Sequence, residues 1–513
     1  MGNSIEKKIF RGTMVIILVG ILAKITSFIQ EAILAAYLGT TNQSDAFYMV
    51  SSIQAVIYPM LSVGVWKVFL PLYKEKYAQG KSGEADALSN QMISFFSIVS
   101  FLAVCALILL AVPVVSIVAP GFEGETKELC AKLVRISAPM YFFIIAAAIY
   151  ASMLQAHGKF FGSQVREIAS HVPTIIAALF FYKNYGIEAM AMALVAGGFI
   201  RLLIELPFVD WGYRFHPDFH FKTSEFRIML KRLPSALVSE SVGQLNTLID
   251  KVMASTLPEG TISGLNYGGK LSSVFGGLLS GAIATALYPQ MIEMIALKKI
   301  QELARLVAKI INIFCVLMVP ITVACMLFSR ELVTAAFQRG SFAAESTALT
   351  ANIFALYCLG LFFGASNSVV SNVFYSFGDT KRPMFISLIN LGINVALNLC
   401  LIQLLGVNGL ALATSLSAII TFFVRNVMVR KYVHLEYKKI FLTFLKVLGA
   451  SGVACFAPRI LFWIYPVNPW LILVISAAMG ILIYLGMIKL LRVKELEDLL
   501  EIIKKRFWNL FKQ

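Results

Sequence analysis

The sequence predicts an all-α polytopic membrane protein of about fourteen transmembrane helices, built as two pseudo-symmetric six-helix lobes followed by two C-terminal helices. Three observations predict it. The 513 residues are 58% hydrophobic and only 14% charged, where a soluble protein carries about 25% charged residues. Apolar stretches follow one another along nearly the whole chain, and about 20 such residues cross a hydrocarbon layer of roughly 30 Å. Segments of the first half also recur about 220 residues on.

The first span, 12–38, is too long for a cleaved signal, and no small-residue cleavage site follows it. Spans at 46–73, 91–118, 129–156, 164–182 and 186–208 complete a first group of six, the N-lobe at 1–208. The basic segment 209–233 is a linker. A second group of six follows at 234–256, 264–290, 307–328, 347–376, 383–403 and 408–430, the C-lobe at 234–430. The repeat supports this division. Gly158 in MLQAHGKFFGSQ matches Gly378 in VFYSFGDTKRPM, and Gly186 in NYGIEAMAMAL matches Gly406 in LLGVNGLALAT, both 220 residues apart. Pro71 in FLPLYKEK matches Pro289 in ALYPQMIE at a spacing of 218. Six crossings return each half to the side where it began, so the halves are parallel repeats of the kind that rock about a shared cavity.

Spans 441–463 and 469–491 lie outside the repeat and give helices 13 and 14, within 431–491. In the tail, 492–513, Val493, Leu496, Leu499, Leu500, Ile503 and Phe507 recur at helical spacing with charges between them. This predicts an amphipathic helix on the inner membrane surface, against the plainer reading of a solvated tail.

The formal net charge is +16, which raises nucleic acid as a partner until its distribution is considered. The outer loops hold only Lys127, Lys183, Arg330 and Arg339 of the 44 basic residues, and most of the others fall on the opposite side. Such a bias orients a membrane protein, here with both termini cytoplasmic. The charge is topological and excludes a nucleic-acid footprint.

The seven cysteines (105, 130, 315, 325, 358, 400 and 455) sit almost entirely in apolar spans without a CxxC, and read as packing residues rather than a metal site or disulfide framework. A membrane-embedded transferase would need a catalytic base and usually a metal or a sizeable soluble loop. The five histidines form no HExxH, and Pro217 breaks the spacing between His216 and His220. No GxxxxGK[ST] loop occurs. The reading is a transporter and not an enzyme, driven by membrane potential or an ion gradient. A purely structural role fits the intramembrane charge poorly.

Lys24, Lys251 and Lys270 lie within apolar spans. A charge at mid-membrane costs roughly 2.5 kcal/mol or more, so it faces a partner or a watery cavity. A cationic interior points to an anionic cargo.

Several segments resemble the MurJ (MviN) family of lipid II flippases, within the larger group of multidrug exporters and polysaccharide flippases. They are AFQRGSFAAESTALTANIFALYCLGL (336–361), VFYSFGDTKRPM (373–384), GVNGLALATSLS (406–417), IDKVMASTLPEGTISGLNYGGKL (249–271), and SFIQEAILAAYLG with SDAFYMV within 27–50. The resemblance covers helices 1 to 12. It implies two lobes around a cationic cavity that binds the pyrophosphate of a polyprenyl-linked sugar and carries the headgroup from the inner to the outer leaflet for peptidoglycan synthesis. A pyrophosphate cannot cross the hydrocarbon unaided, because burying unpaired charge is prohibitive. The resemblance further implies a bacterial inner-membrane location and a hydrophobic groove at helices 13 and 14 for the lipid tail. The expected partners are a lipid-linked glycan, with lipid II foremost, and membrane lipids; the chain is expected to be a monomer. Alternatives are a flippase for another lipid-linked glycan or an ion-coupled multidrug exporter. An exporter of cationic drugs would favour an acidic or aromatic cavity, and it typically stops at twelve helices.

The family pattern implies roles for single residues. Lys24 matches a basic position, read as a pyrophosphate contact or as half of an ion pair with Glu31, seven residues on. Lys270 stands where the family usually has arginine, read as a phosphate ligand or as a lysine snorkelling outward. Gln30 and Tyr58 stand at substrate-binding positions where family members carry arginines, which makes the expected cavity less cationic. Glu31, Asp45 and Lys251 are read as gating or coupling residues; Asp45 is read equally as an N-cap of its own helix. Asp250 resembles a family acid that in some members contributes to a sodium site, to which Asn390 and Asn394 would add oxygen ligands. With Asn398 they form one polar stripe, which equally serves to glue helices by hydrogen bonds. No cofactor is expected beyond Na⁺ as a coupling ion.

Overall fold

The computed structural model describes residues 2–209, 211–464 and 468–493, and the tail expectation lies outside the described residues from 494 on. Among the described residues every regular element is helical. The first half comprises α1 (Gly2–Leu38), α2 (Asn42–Ala78), α3 (Ser82–Leu109), α4 (Ala111–Val118), α5 (Gly124–Ser137), α6 (Met140–Ala156), α7 (Phe160–Ile176) and α8 (Tyr182–Glu205). The second half comprises α9 (Ser224–Ala254), α10 (Thr261–Ala296), α11 (Ile300–Leu327), α12 (Ser329–Phe337), α13 (Ala344–Cys358), α14 (Leu361–Ser376), α15 (Lys381–Leu405) and α16 (Val407–Val429). Two further helices, α17 (Tyr437–Ile464) and α18 (Pro469–Leu490), end the described chain.

The pseudo-symmetry read from the sequence recurs in where the helices break. α3 passes into α4 at Leu110 and α11 into α12 at Phe328. α5 bends into α6 by 41°, and α13 into α14 by 41°. Gly158 and Gly378 have φ of +74° and +75°, and Gly186 and Gly406 have +59° and +57°. These left-handed values are open to glycine without a Cβ penalty, which is why the matched glycines mark matched turns. The breaks at Leu110, between α5 and α6 and between α13 and α14 carry no such residue, so the sequence read each of those regions as one span, 91–118, 129–156 and 347–376, while the span 307–328 ended at Phe328.

One turn shows the repeat with a different residue. After α2, Gly80 takes φ +75° and the Lys81 N–H closes back on Lys76 O at 3.1 Å. After α10, 218 residues on, Lys298 takes φ +57° and the Lys299 N–H closes on Met294 O at 2.8 Å. A side chain in this conformation costs about 1 kcal/mol relative to glycine. Lys298→Gly should therefore raise the apparent melting temperature of the purified protein, and an unchanged or lower value would show that the lysine side chain is held there by other contacts.

The chain divides into two compact units, Met1–Ser263 with Arg339–Phe342, and Gly264–Gln338 with Ala343–Gln513. In the first, Phe69 and Tyr73 of α2, Met92 of α3, Ile149 of α6 and Phe226 of α9 form a buried cluster, and α9 packs along α2. In the second, Phe314 of α11, Val369 of α14, Val447 of α17 and Ile488 of α18 share another, so the two extra helices are docked on the repeat. Eight helices among the described residues are long and apolar enough to cross a membrane, or ten if each bent pair is one crossing. Leu109, Ile117, Leu404, Leu482 and Leu490 are 72–78% exposed. That much bare leucine and isoleucine on spanning helices suits a hydrocarbon solvent. The protein is a multi-pass membrane protein.

Candidate functional site

In the first unit, polar side chains from four helices meet around Gln30 and Tyr58. Gln30 of α1 accepts a hydrogen bond from Nδ1 of His171 on α7. The Tyr58 hydroxyl on α2 donates to Glu167 Oε1 at 3.2 Å and accepts from Arg201 Nη1 at 2.5 Å. The Arg201 guanidinium, from α8, lies 4.7 Å from the Tyr58 ring centroid, pairs with Glu167 Oε2 at 2.8 Å and donates to Ser170 Oγ at 3.1 Å. One turn along α8, Glu205 is fully buried and receives Arg166 Nη1 at 2.6 Å. Gln30 and Tyr58, where the resemblance implies arginines, are thus met by basic groups on α7 and α8. Arg201 stacks on the tyrosine, an arrangement that favours a guanidinium, and two carboxylates balance the two arginines.

The remaining expected residues of α1 divide by burial: Lys24 is exposed and Glu31 buried. Asp250 and Lys251 of α9 are each 6% exposed, and the Lys251 ammonium lies 5.9 Å from the Tyr48 ring centroid on α2. Asp45 is not the N-cap of its own helix. Thr41 holds that place, in a reciprocal capping pair with Ser44. The buried Asp45 carboxylate instead accepts the Gly260 N–H at 2.8 Å and the Ser263 N–H at 2.7 Å, so it caps the first turn of α10 from across the unit. Each buried N–H stranded by its loss costs about 1–3 kcal/mol. Thermal melts should rank wild type above Asp45→Asn, which keeps one acceptor oxygen, and Asp45→Asn above Asp45→Ala. Equal melting temperatures would refute the capping role.

Backbone contacts seat a turn tightly on the end of α1. Ser341 donates its N–H to Ala36 O at 2.7 Å, which seats the Arg339–Phe342 turn on the end of α1. Gly39 and Gly340 take φ of +58° and +59°, and a Cβ on Gly39 would lie 2.5 Å from Ser341 O.

In the second unit, Lys270 is half-buried on α10. The asparagine stripe of α15 is engaged: Asn390 Oδ1 accepts the Thr421 hydroxyl at 2.7 Å, and Asn394 Oδ1 accepts Asn398 Nδ2 at 3.1 Å. The Thr421–Asn390 bond stands 220 residues after the Arg201–Ser170 bond, so the repeat keeps one α7–α8 and α15–α16 bridge while changing its chemistry from charged to neutral. Each asparagine carbonyl retains a second lone pair. Among the described residues no group of three or more His, Cys, Asp or Glu is placed to hold a metal.

Outside the spans, ion pairs fix the turns of the basic end. Lys76 bridges Glu84 at 2.5 Å and Glu225 at 2.8 Å, joining the ends of α2, α3 and α9, and its hydrogen bond holds the Glu225 carboxyl down at about 2. Asp379 accepts the Tyr432 hydroxyl at 2.7 Å and pairs with Arg382 at 2.9 Å, and these bonds keep its carboxyl below the ordinary range.

Sequence reasoning missed Arg166, Glu167, Arg201 and Glu205. A signal was there: these four charges lie within apolar spans, with Arg201 and Glu205 at i, i+4.

A family model described as "Lipid II flippase MurJ" matches residues 34–482. The chain is 25% identical over 492 residues to a probable lipid II flippase MurJ of Thermotoga maritima, covering 93% of this chain and 96% of that one. It is 26% identical over 414 residues to a probable lipid II flippase MurJ of Buchnera aphidicola, covering 79% and 80%. Among solved structures, a lipid II flippase MurJ in an inward closed conformation superposes with a TM-score of 0.83 at 22% identity, covering 95% of this chain and all of that one. An inward-facing multidrug transporter of the MATE family shares the fold at a TM-score of 0.67 and 14% identity, covering 80% and 95%. The chain belongs to the MurJ family of lipid II flippases.

Proposed function

We propose that this chain carries lipid II across the bacterial inner membrane, headgroup through the protein and tail in the bilayer, from the inner to the outer leaflet for peptidoglycan synthesis. The family match across 34–482 carries the reading. The protein is a transporter without a catalytic step, and both termini lie on the cytoplasmic side, as the charge bias favours. Lys24 and Lys270 contact the pyrophosphate, replacing part of its hydration by charge-assisted hydrogen bonds. Gln30 and Tyr58 line the same path, with Arg201 supplying, at Tyr58, a cation in place of a family arginine. Glu31, Asp45 and Lys251 act in gating, Asp45 by holding the start of α10 to α2. Na⁺ as a coupling ion, held by Asp250, Asn390 and Asn394, belongs to the same proposal. The chain works as a monomer by alternating access of its two repeats.

The test is genetic. Expressed in bacteria depleted of their own lipid II flippase, the wild-type chain restores growth. Failure of a well-expressed, membrane-inserted protein would overturn lipid II as cargo and turn attention to another lipid-linked glycan.

A further inference from the structure

The second unit contains a cavity of about 880 Å³ that shares no residue with the transport path proposed above. It lies at the lysine-rich end of the helices, between the first turns of α11 and α17 and the turn after α18. Arg305 and Lys309 stand at i, i+4 on α11, and Lys439 and Lys446 at i, i+7 on α17, so each pair projects from one helix face. Arg492 adds a fifth cation, and among the described residues Glu436 is the one carboxylate in the lining. Five cations around one space favour an anion there.

The walls are fixed from behind. Val307 and Ile311 of α11, Val447 of α17 and Val493 after α18 belong to one buried apolar cluster. Lys446 Nζ donates to Leu491 O at 3.1 Å, tying α17 to the end of α18. The Val493 N–H closes on Ile488 O at 3.2 Å, which leaves Arg492 at φ +51°. Glycine is the usual residue in such a turn; here the chain carries an arginine that lines the cavity.

The rim is apolar. Leu442 lines the cavity while 49% exposed, and beside it Phe441, Leu445 and Leu448 of α17 are 60%, 47% and 41% exposed. A cationic chamber beside a bare apolar helix face matches an amphiphile with an anionic head. Arginine and lysine together suit phosphate oxygens.

We propose that this cavity binds the phosphate of an anionic phospholipid headgroup from the leaflet read above as cytoplasmic, with the acyl chains lying along α17. The site is independent of flipping. The diphosphate of a polyprenyl lipid shares the same chemistry, so the test separates the two sources.

Full-length protein, delipidated in neutral detergent, is offered phosphatidylglycerol or phosphatidylcholine, and retained lipid is counted by native mass spectrometry. Wild type should retain one phosphatidylglycerol with at least a tenfold preference over phosphatidylcholine. The Arg305→Gln, Lys439→Gln, Arg492→Gly triple variant should lose that preference, while Lys24→Ala, Lys270→Ala keeps it. A melting temperature for the triple variant equal to wild type shows that it is folded, and Arg492→Gly relieves the backbone there. Equal retention of both lipids by wild type, or an undiminished preference in the folded triple variant, would overturn the proposal. Displacement by millimolar inorganic phosphate would overturn the lipid assignment. In a competition arm with equimolar undecaprenyl diphosphate, phosphatidylglycerol that stays bound identifies the phospholipid as the occupant, and its displacement reassigns the site to the polyprenyl diphosphate.

Discussion

Alanine at Lys24 or Lys270 should reduce lipid II flipping at least tenfold each, and the double variant should fail to rescue cells depleted of their own flippase. A hydrogen bond between charged groups contributes about 1.5–3 kcal/mol, so removing one weakens affinity by roughly 10- to 100-fold. Lys24 is exposed on α1 among Ile21, Leu22, Ile25 and Ile29, which are 40–53% exposed. An ammonium cannot share a hydrocarbon environment with those neighbours at tolerable cost. Its ammonium needs water or an anion, and on that ground the proposal puts it on the headgroup path. Lys24→Arg and Lys270→Arg should keep most activity, since both retain the charge. Lys183→Ala, in the first turn of α8, should do nothing. Full rescue by both alanine variants would leave the transport function standing and remove these two lysines from it.

How much of this is legible in the sequence depends on whether the information is local. Helix positions and the repeat are legible because hydropathy and left-handed glycines are written in single residues: Gly158, Gly186, Gly378 and Gly406 mark matched turns with matched φ. The break at Leu110 is not, because apolar residues continue through it, whereas the polar run Ser329, Arg330, Glu331 ends the apolar span at Phe328. Gln30 and Tyr58 are recognisable as departures from the family pattern. Their compensation is not, since Arg201, Glu167 and His171 reach them from helices more than 100 residues away. Asp45 is the sharpest case. Its partners are backbone N–H groups 215 and 218 residues on, which have no side-chain signature at all. The acid is visible, but it suggests a cap on its own helix, whose start Thr41 and Ser44 already satisfy.

Gly340→Ala should unseat the turn that packs on the end of α1. The residue has φ +59°, and a Cβ there would sit on the carbonyl oxygen of Ala36, a backbone atom that cannot rotate away. The left-handed conformation alone disfavours alanine by about 1–2 kcal/mol, and the overlap adds to it, so the seated arrangement should lose at least roughly 5- to 30-fold in population. The Ser341 N–H, which donates to Ala36 O at 2.7 Å, reports on it directly. Hydrogen exchange at Ser341 should accelerate by about the same factor, because its protection measures this local opening. If the proposed cycle requires the turn to seat when the outer side is shut, flipping should fall in parallel while expression is unchanged. Gly80→Ala separates strain from collision: it has φ +75° with open space around its Cβ position, so it should cost stability and leave Ser341 protected. Ser341→Ala keeps the backbone donor and should leave the turn seated. Wild-type exchange at Ser341 in Gly340→Ala would mean that α1 can yield enough to admit the methyl group, and that the glycine does not decide how this turn is seated.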